Sequence, residues 1–117
     1  MLAQDIHAEV LEFALRFPEA YGEPGWGGTI VKVRKKMFVY LNADDGDDPV
    51  AYNVKLADPD AHAHALSLPR AARMGALGQY GWVYVPFGAH TPVDLLCEWV
   101  EDSYRAIAPK KLVAELG

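Results

Sequence analysis

Apolar side chains near the start of the chain recur with the 3.6-residue period of an amphipathic helix. The positions on this face are Ile6, Val10, Phe13, Ala14 and Phe17. Asp5 suits both an N-cap, because its carboxylate can accept backbone hydrogen bonds, and the positive end of the helix dipole. Pro18 disfavours helical conformation in the residue before it. The pattern therefore predicts an N-terminal helix that ends before Pro18.

The hydrophobic pattern then changes to the alternation that is typical of strands. Residues 18–28 come first, and because they hold two prolines and four glycines we expect a loop there. Lys35 and Lys36 are expected to form a turn, and residues 42–49 a polar loop. Three strands are predicted, over residues 29–34, 37–41 and 50–56. Consecutive strands with short connections favour an antiparallel meander.

The second half of the chain carries two helix-start signals. Asp58-Pro59 and Thr91-Pro92 each place a capping side chain before a proline that suits the first helical turn. The predicted elements are a short helix over residues 59–68, an irregular segment over 70–78, a strand over 80–86, a long helix that ends before Pro109, and a last helical turn over 110–116. The core positions expected in the long helix are Val93, Leu96, Cys97, Val100, Tyr104 and Ile107.

The order of these elements defines the predicted fold. We expect one α+β domain over residues 1–117, with a single antiparallel sheet of four to five strands and helices packed on it, in the order α-β-β-β-α-β-(β)-α. The 117 residues suit one domain with its own core. Hydrophobic residues make up 51% and charged residues 23%, which is typical of soluble globular proteins.

Candidate chemistry along the chain is sparse. Asp5 and Glu9 stand where a secretion signal has basic residues and then an apolar stretch, and no apolar run is long enough for a membrane span, so we expect a cytoplasmic location without membrane contact. The single Cys97 lies on an apolar stripe and is expected to be a buried structural thiol. His62 and His64 diverge on a helix, and residues 42–53 lack the spacing of a calcium loop. We expect a non-enzymatic protein without metal or cofactor.

Charge is unevenly distributed in this acidic chain, whose net charge is −5. That balance argues against general affinity for nucleic acids, because phosphate neutralisation supplies most of such binding. A local basic surface is nevertheless indicated. Lys32, Arg34 and Lys36 share strand parity and are expected on one face, to which the next strand adds Lys55. These residues either contact phosphates or solvate the sheet and discourage edge pairing.

Aromatic residues offer a second possible contribution to nucleic-acid binding, because aromatic rings on sheets can stack on bases; the candidates are Trp26, Tyr52, Trp82 and Tyr84. Trp82 and Tyr84 share one strand face, and packing under the helices is favoured over stacking for both. Trp26 lies in the glycine-rich loop, where the pattern does not fix its exposure. An exposed Trp26 beside the basic strands would be the first candidate for stacking.

Short motifs in a fixed order extend over nearly the whole chain. They are Phe17-Pro18-Glu19-Ala20, Lys36-Met37-Phe38, Asn53-Val54-Lys55-Leu56, Gly81-Trp82-Val83-Tyr84-Val85 and Asp102-Ser103-Tyr104-Arg105. Through them the chain resembles the MmcQ/YjbR family of small bacterial proteins. The resemblance implies a fold similar to that of type III secretion chaperones and of CyaY, and DNA binding through a double-wing arrangement; it implies no catalytic residues. The expected function is DNA binding through the basic strand face. The alternative is a protein-interaction module or homodimer, like the secretion chaperones.

Overall fold

The computed structural model describes residues 2–42 and 50–116. Four α-helices, six strands and one 3-10 helix occur in these ranges. In chain order they are α1 (Ala3–Leu15), β1 (Tyr21–Gly25), β2 (Gly28–Val33), β3 (Lys36–Leu41), β4 (Ala51–Lys55), α2 (Pro59–Leu66), β5 (Ala72–Arg73), the 3-10 helix (Gly75–Tyr80), β6 (Trp82–Pro86), α3 (Val93–Ile107) and α4 (Lys110–Ala114).

The strands form one antiparallel sheet in the order β1-β2-β3-β4-β6-β5. The predicted α+β class with a single antiparallel sheet is confirmed. The strand count is six instead of four to five, because β1 replaces part of the predicted loop and β5 lies in the predicted irregular segment. Both are edge strands, and an edge tolerates the missing N–H of Pro24, which a central strand would not.

The hydrophobic core lies between the helices and one face of the sheet. Successive side chains of a strand point to opposite faces, so alternate residues divide between the core and the other side. The buried strand residues that share a cluster with the helices include Val31, Val33, Val39, Leu41, Tyr52, Val54, Val83 and Val85. The helices contribute Ile6, Val10, Ala14, Ala65, Leu96, Trp99, Val100, Tyr104 and Leu112. All four α-helices therefore pack on the same face of the sheet.

Three aromatic rings connect the N-terminal segment to this core. Tyr104 stacks on Phe17 with ring centroids 4.6 Å apart and meets Phe38 edge to face at 5.1 Å. The Tyr104 hydroxyl donates a hydrogen bond to the carbonyl of Pro18 at 2.8 Å. These contacts hold the backbone immediately before Glu19 against the core.

Ser103 of α3 connects strands β3 and β4 where their pairing ends. The last paired residues at this end are Val39 and Val54. Beyond them, the Ser103 hydroxyl accepts a hydrogen bond from the Lys55 N–H at 2.9 Å and donates one to the Phe38 carbonyl at 2.5 Å. This buried side chain thus takes the place of a backbone hydrogen bond and holds Lys55 at the end of β4.

Candidate nucleic-acid interface

The turn between β2 and β3 presents a run of basic side chains at one end of the sheet. Arg34 and Lys35 are its two central residues, and both have positive φ, at 50° and 69°. This is the pattern of a type I′ turn, which normally favours Asn-Gly. The side chains of Arg34, Lys35 and Lys36 are exposed. The turn was predicted one residue later, at Lys35 and Lys36, because its sequence lacks the usual turn residues.

The prediction that Lys32, Arg34 and Lys36 share one strand face is wrong. Lys32 pairs with Met37, whereas Lys36 pairs with Val33, whose side chain belongs to the core on the helix side. Lys32 and Lys36 therefore start on opposite faces of the sheet, and Arg34 lies in the turn. In addition, the pairing register of β2 with β3 shifts between Val31 and Lys32, so side chains do not alternate regularly between the two faces there. These residues are neighbours because they share one end of the sheet.

Two of the predicted binding residues form ion pairs with carboxylates at the β1 edge. Arg34 binds Glu19 through two hydrogen bonds, Nε to Oε1 at 2.6 Å and Nη2 to Oε2 at 2.9 Å. Lys32 pairs with Glu23. The hydrogen bond from Arg34 lowers the pKa of Glu19, and the bond to Glu23 raises the pKa of Lys32. Both shifts favour the charged forms of Glu19 and Lys32.

Three further lysines lie at this end of the sheet. Within residues 2–42 and 50–116, the side chains of Lys35, Lys36 and Lys55 form no salt bridge. Lys55 ends β4 and lies two strand positions from Lys32, roughly 10 Å across the sheet. We call the group of Lys32, Arg34, Lys35, Lys36 and Lys55 the basic end of the sheet.

Trp26 is exposed, but it lies far from the basic end. It occupies the turn between β1 and β2, at the start of β2, whereas Lys32 lies near the other end of that strand. Five residues of strand separate the two ends of β2, roughly 16 Å. The Tyr40 hydroxyl donates to the Trp26 carbonyl at 2.6 Å, and the two rings meet edge to face at 5.4 Å. Trp26, with 71% of its surface exposed, is therefore held in place without adjoining the basic residues.

Most of the described acidic residues lie in the helical layer, whereas the basic residues are divided between the helices and the sheet. Among the described residues, every acidic side chain other than Glu19 and Glu23 lies on a helix or a helix cap. These are Asp5, Glu9, Glu12, Asp58, Asp60, Asp94, Glu98, Glu101, Asp102 and Glu115. The strands and their connections instead carry Lys32, Arg34, Lys35, Lys36, Lys55, Arg70 and Arg73. A basic surface is thus compatible with the acidic total. The aspartates at 44, 45, 47 and 48 lie outside the described residues, as does most of the segment tested for calcium spacing.

The other candidate residues, Trp82, Tyr84 and Cys97, do not belong to the basic end of the sheet. Val83 and Val85 of β6 face the helices. The prediction that Trp82 and Tyr84 pack under the helices is therefore wrong. Trp82 is nevertheless buried, on the opposite face of the sheet. The long-helix core includes Trp99, which the predicted stripe omitted, while Cys97 is only half-buried. Burial raises the pKa of the Cys97 thiol, which disfavours the nucleophilic thiolate.

The described part of the chain contains no cluster of three or more potential metal ligands. No helix among these residues has both the length and the apolar character needed to cross a bilayer.

Fold and site together define a small α+β protein in which helices cover one face of an antiparallel sheet and basic side chains gather at one end of that sheet. The chain belongs to the YjbR family, whose sequence model matches residues 15–106. Its fold is similar to the crystal structure of Deinococcus radiodurans protein DR2400, which carries the family-model domain DUF419. That similarity has a TM-score of 0.72 at 20% sequence identity and covers 94% of this chain and 86% of the other. No curated protein matches the chain.

Proposed function

We propose that this protein is a non-enzymatic DNA-binding module of the bacterial cytoplasm, which contacts phosphates through the basic end of the sheet. The observation that carries the proposal is the Arg34-Lys35 turn. Residues other than glycine, asparagine or aspartate are disfavoured at positive φ, and such backbone outliers concentrate at functional sites. Two consecutive cationic residues are held there, with exposed side chains, where Asn-Gly would be the stable choice.

The surroundings of the turn support contact with a polyanion. Lys36 and Lys55 flank it, and the described acidic residues lie mostly in the helical layer. Phosphate contacts by lysine and arginine release counterions from DNA, so each contact makes binding more sensitive to salt. The five basic residues would fix the protein on the backbone of DNA without reading its sequence.

Charge reversal at two of these residues tests the proposal. We expect Lys32→Glu combined with Lys36→Glu to weaken binding of a short DNA duplex by at least about tenfold at roughly 50 mM salt, because two phosphate contacts become repulsive. The log–log salt dependence between about 50 and 200 mM should become shallower by at least about 0.9, the value for one lost phosphate contact. Fluorescence anisotropy of labelled duplex and single-stranded DNA measures both quantities.

A matched control separates this surface from the net charge of the protein. Arg70→Glu with Arg73→Glu makes the same change in charge at the opposite edge of the sheet, three or four strand positions away, roughly 14–19 Å. The control should bind nearly as well as the wild type. Equal weakening by both pairs of substitutions would contradict the assigned surface, and absence of wild-type binding at 50 mM salt would contradict DNA binding itself.

Exposed apolar residues at the β1 edge favour self-association as a second candidate function. Leu15, Tyr21 and Trp26 expose 41%, 39% and 71% of their surfaces. Beside them a groove of about 340 Å³ runs between α1 and β1, lined mainly by Leu11, Leu15, Gly22, Pro24 and Thr29. Because the exposed indole and the groove share one edge, a twofold axis could place each Trp26 in the groove of the other copy.

Sedimentation equilibrium tests the homodimer directly. We expect the wild type to dimerise at concentrations of tens of micromolar, roughly the affinity of small interfaces. Trp26→Ser should remain monomeric, because it removes the inserted ring but preserves the backbone carbonyl that Tyr40 binds. Leu77→Ser, at an exposed apolar residue on the opposite edge, is the control and should still dimerise. A monomeric wild type at all concentrations would contradict this candidate.

A further inference from the structure

Two ion pairs connect the basic end of the sheet to one short segment of the chain, residues 19–23. Glu19 and Glu23 are four residues apart at the β1 edge, and they neutralise Arg34 and Lys32, respectively. The two oxygens of Glu19 occupy both donor positions on one side of the Arg34 guanidinium. A phosphate group binds arginine through the same two-pronged geometry. Glu19 thus holds the position that a DNA phosphate would need.

Backbone strain is concentrated at the Glu19–Arg34 contact. The described residues contain five non-glycine residues with positive φ; two of them, Glu19 and Arg34, form this contact, and a third, Lys35, follows Arg34 in the turn. Such conformations persist only where surrounding contacts enforce them. The Tyr104 hydrogen bond to Pro18 enforces the position of Glu19, and the closed hairpin enforces that of Arg34. The fold itself therefore holds the backbones of Glu19 and Arg34 where their side chains can form this contact.

Solvent exposure makes both ion pairs replaceable. The side chains of Arg34 and Glu19 are each about half exposed, at 50% and 49%, and those of Lys32 and Glu23 are 25% and 43% exposed. Exposed ion pairs are weak because water and salt screen them. A DNA backbone carries a high density of phosphates, so it can compete for the same two cations.

We propose that Glu19 and Glu23 are internal competitors of nucleic-acid phosphate, which occupy Arg34 and Lys32 in the free protein and limit both the affinity and the salt dependence of binding. This inference rests on the proposed DNA-binding function and adds a regulatory contact to the same surface. Binding then requires exchange of two carboxylates for two phosphates. Only Lys35, Lys36 and Lys55 would contact phosphate without such an exchange.

Neutralising the two carboxylates tests the competition. We expect Glu19→Gln combined with Glu23→Gln to bind a short DNA duplex about 5- to 30-fold more tightly at roughly 50 mM salt, because Arg34 and Lys32 no longer have charged internal partners. The log–log salt dependence should become steeper by about 1.8, since two further contacts would release counterions. Glutamine has nearly the same shape as glutamate, so the fold should be retained, and a thermal unfolding scan of each variant verifies this.

The control removes two equivalent carboxylates elsewhere. Glu12→Gln with Glu101→Gln gives the same net charge and breaks two exposed pairs within helices, with Arg16 and Arg105. It should bind less than about twofold more tightly and keep the wild-type salt dependence. Glu23→Gln alone, which disturbs only an exposed pair, should give about half the change in salt dependence and serves if the double variant unfolds.

The possible results separate the two proposals. Tighter and more salt-dependent binding in the Glu19 and Glu23 variant, but not in the control, supports internal competition. If the wild type binds DNA and both double variants behave alike, the competition is refuted while DNA binding stands. If neither the wild type nor any variant binds at 50 mM salt, the proposed function fails and the competition fails with it.

Discussion

Ser103→Ala is expected to destabilise the protein by about 2–4 kcal/mol, because it leaves the buried Phe38 carbonyl and the part-buried Lys55 N–H without this partner. The Ser103 hydroxyl is fully buried and is bonded both to the Lys55 N–H and to the Phe38 carbonyl. Strands β3 and β4 diverge at this point, so neither group can pair with the other strand without movement of the backbone. Each unpaired buried group costs about 1–3 kcal/mol. Urea denaturation followed by tryptophan fluorescence measures the loss.

Ser67→Ala provides the matched control for Ser103→Ala. The Ser67 hydroxyl also bonds a backbone carbonyl, that of His64 at 2.6 Å, but it lies at an exposed helix end where water can replace it. Its removal should change stability by no more than about 0.5 kcal/mol. A Ser103 variant as stable as the Ser67 variant would show that the β3–β4 connection does not depend on this hydroxyl. Loss of the Ser103 contact should also loosen Lys55, which the hydroxyl holds at the end of β4.

Periodicity predicted the elements that contribute several residues to the core. The apolar face of α1 and most of that of α3 lie against the sheet as expected, since a helix with a continuous apolar stripe must bury it. The alternating residues Tyr52, Val54 and Leu56, in and just after β4, also belong to the buried cluster. Strand β1 escaped prediction because glycine and proline dominate it. It forms a strand because it lies at the edge of the sheet beside β2, and the local sequence pattern does not indicate that position.

The predicted site illustrates the limits of counting along a strand. Parity placed Lys32 and Lys36 on one face, but it assumes a continuous strand, and the chain reverses at Arg34 and Lys35. The ion pairs with Glu19 and Glu23 could not be predicted, because they require β1 beside β2. Glu19 belongs to the motif Phe17-Pro18-Glu19-Ala20, one of those by which the chain resembles its family, but the resemblance implied no contact for Glu19.

The position of Trp26 follows from the same missed strand. Once β1 and β2 form a hairpin, residue 26 must lie at its turn, at the opposite end of β2 from Lys32. The sequence alone offered a loop of undefined shape, in which the indole could have been near the basic residues. Hairpin geometry separates the two features, which is why we assign phosphate contact and self-association to different surfaces.

The hairpin that carries Trp26 depends on Gly28, and we expect Gly28→Ala to destabilise the protein by about 3 kcal/mol or more. A Cβ atom at this position would lie 2.2 Å from the Leu41 carbonyl oxygen and 3.0 Å from the ring and hydroxyl of Tyr40. The carbonyl belongs to the backbone of the neighbouring strand β3, so the clash is relieved only by separating β2 from β3. Insertion of atoms into packed regions typically costs about 1–3 kcal/mol, and more where the backbone must move.

Two other glycines calibrate the effect of Gly28→Ala in the same denaturation experiment. Gly88→Ala meets no atom within 4 Å and should change stability by no more than about 0.5 kcal/mol. Gly25→Ala meets the flexible end of Ile30 at 2.5 Å, and because that side chain can rotate we expect an intermediate loss of about 1 kcal/mol. The order Gly28, Gly25, Gly88 thus follows from what each added methyl group would displace. If Gly28→Ala were as stable as Gly88→Ala, the close approach of β2 and β3 at Leu41 would be wrong, and with it the placement of the Trp26 turn against Tyr40.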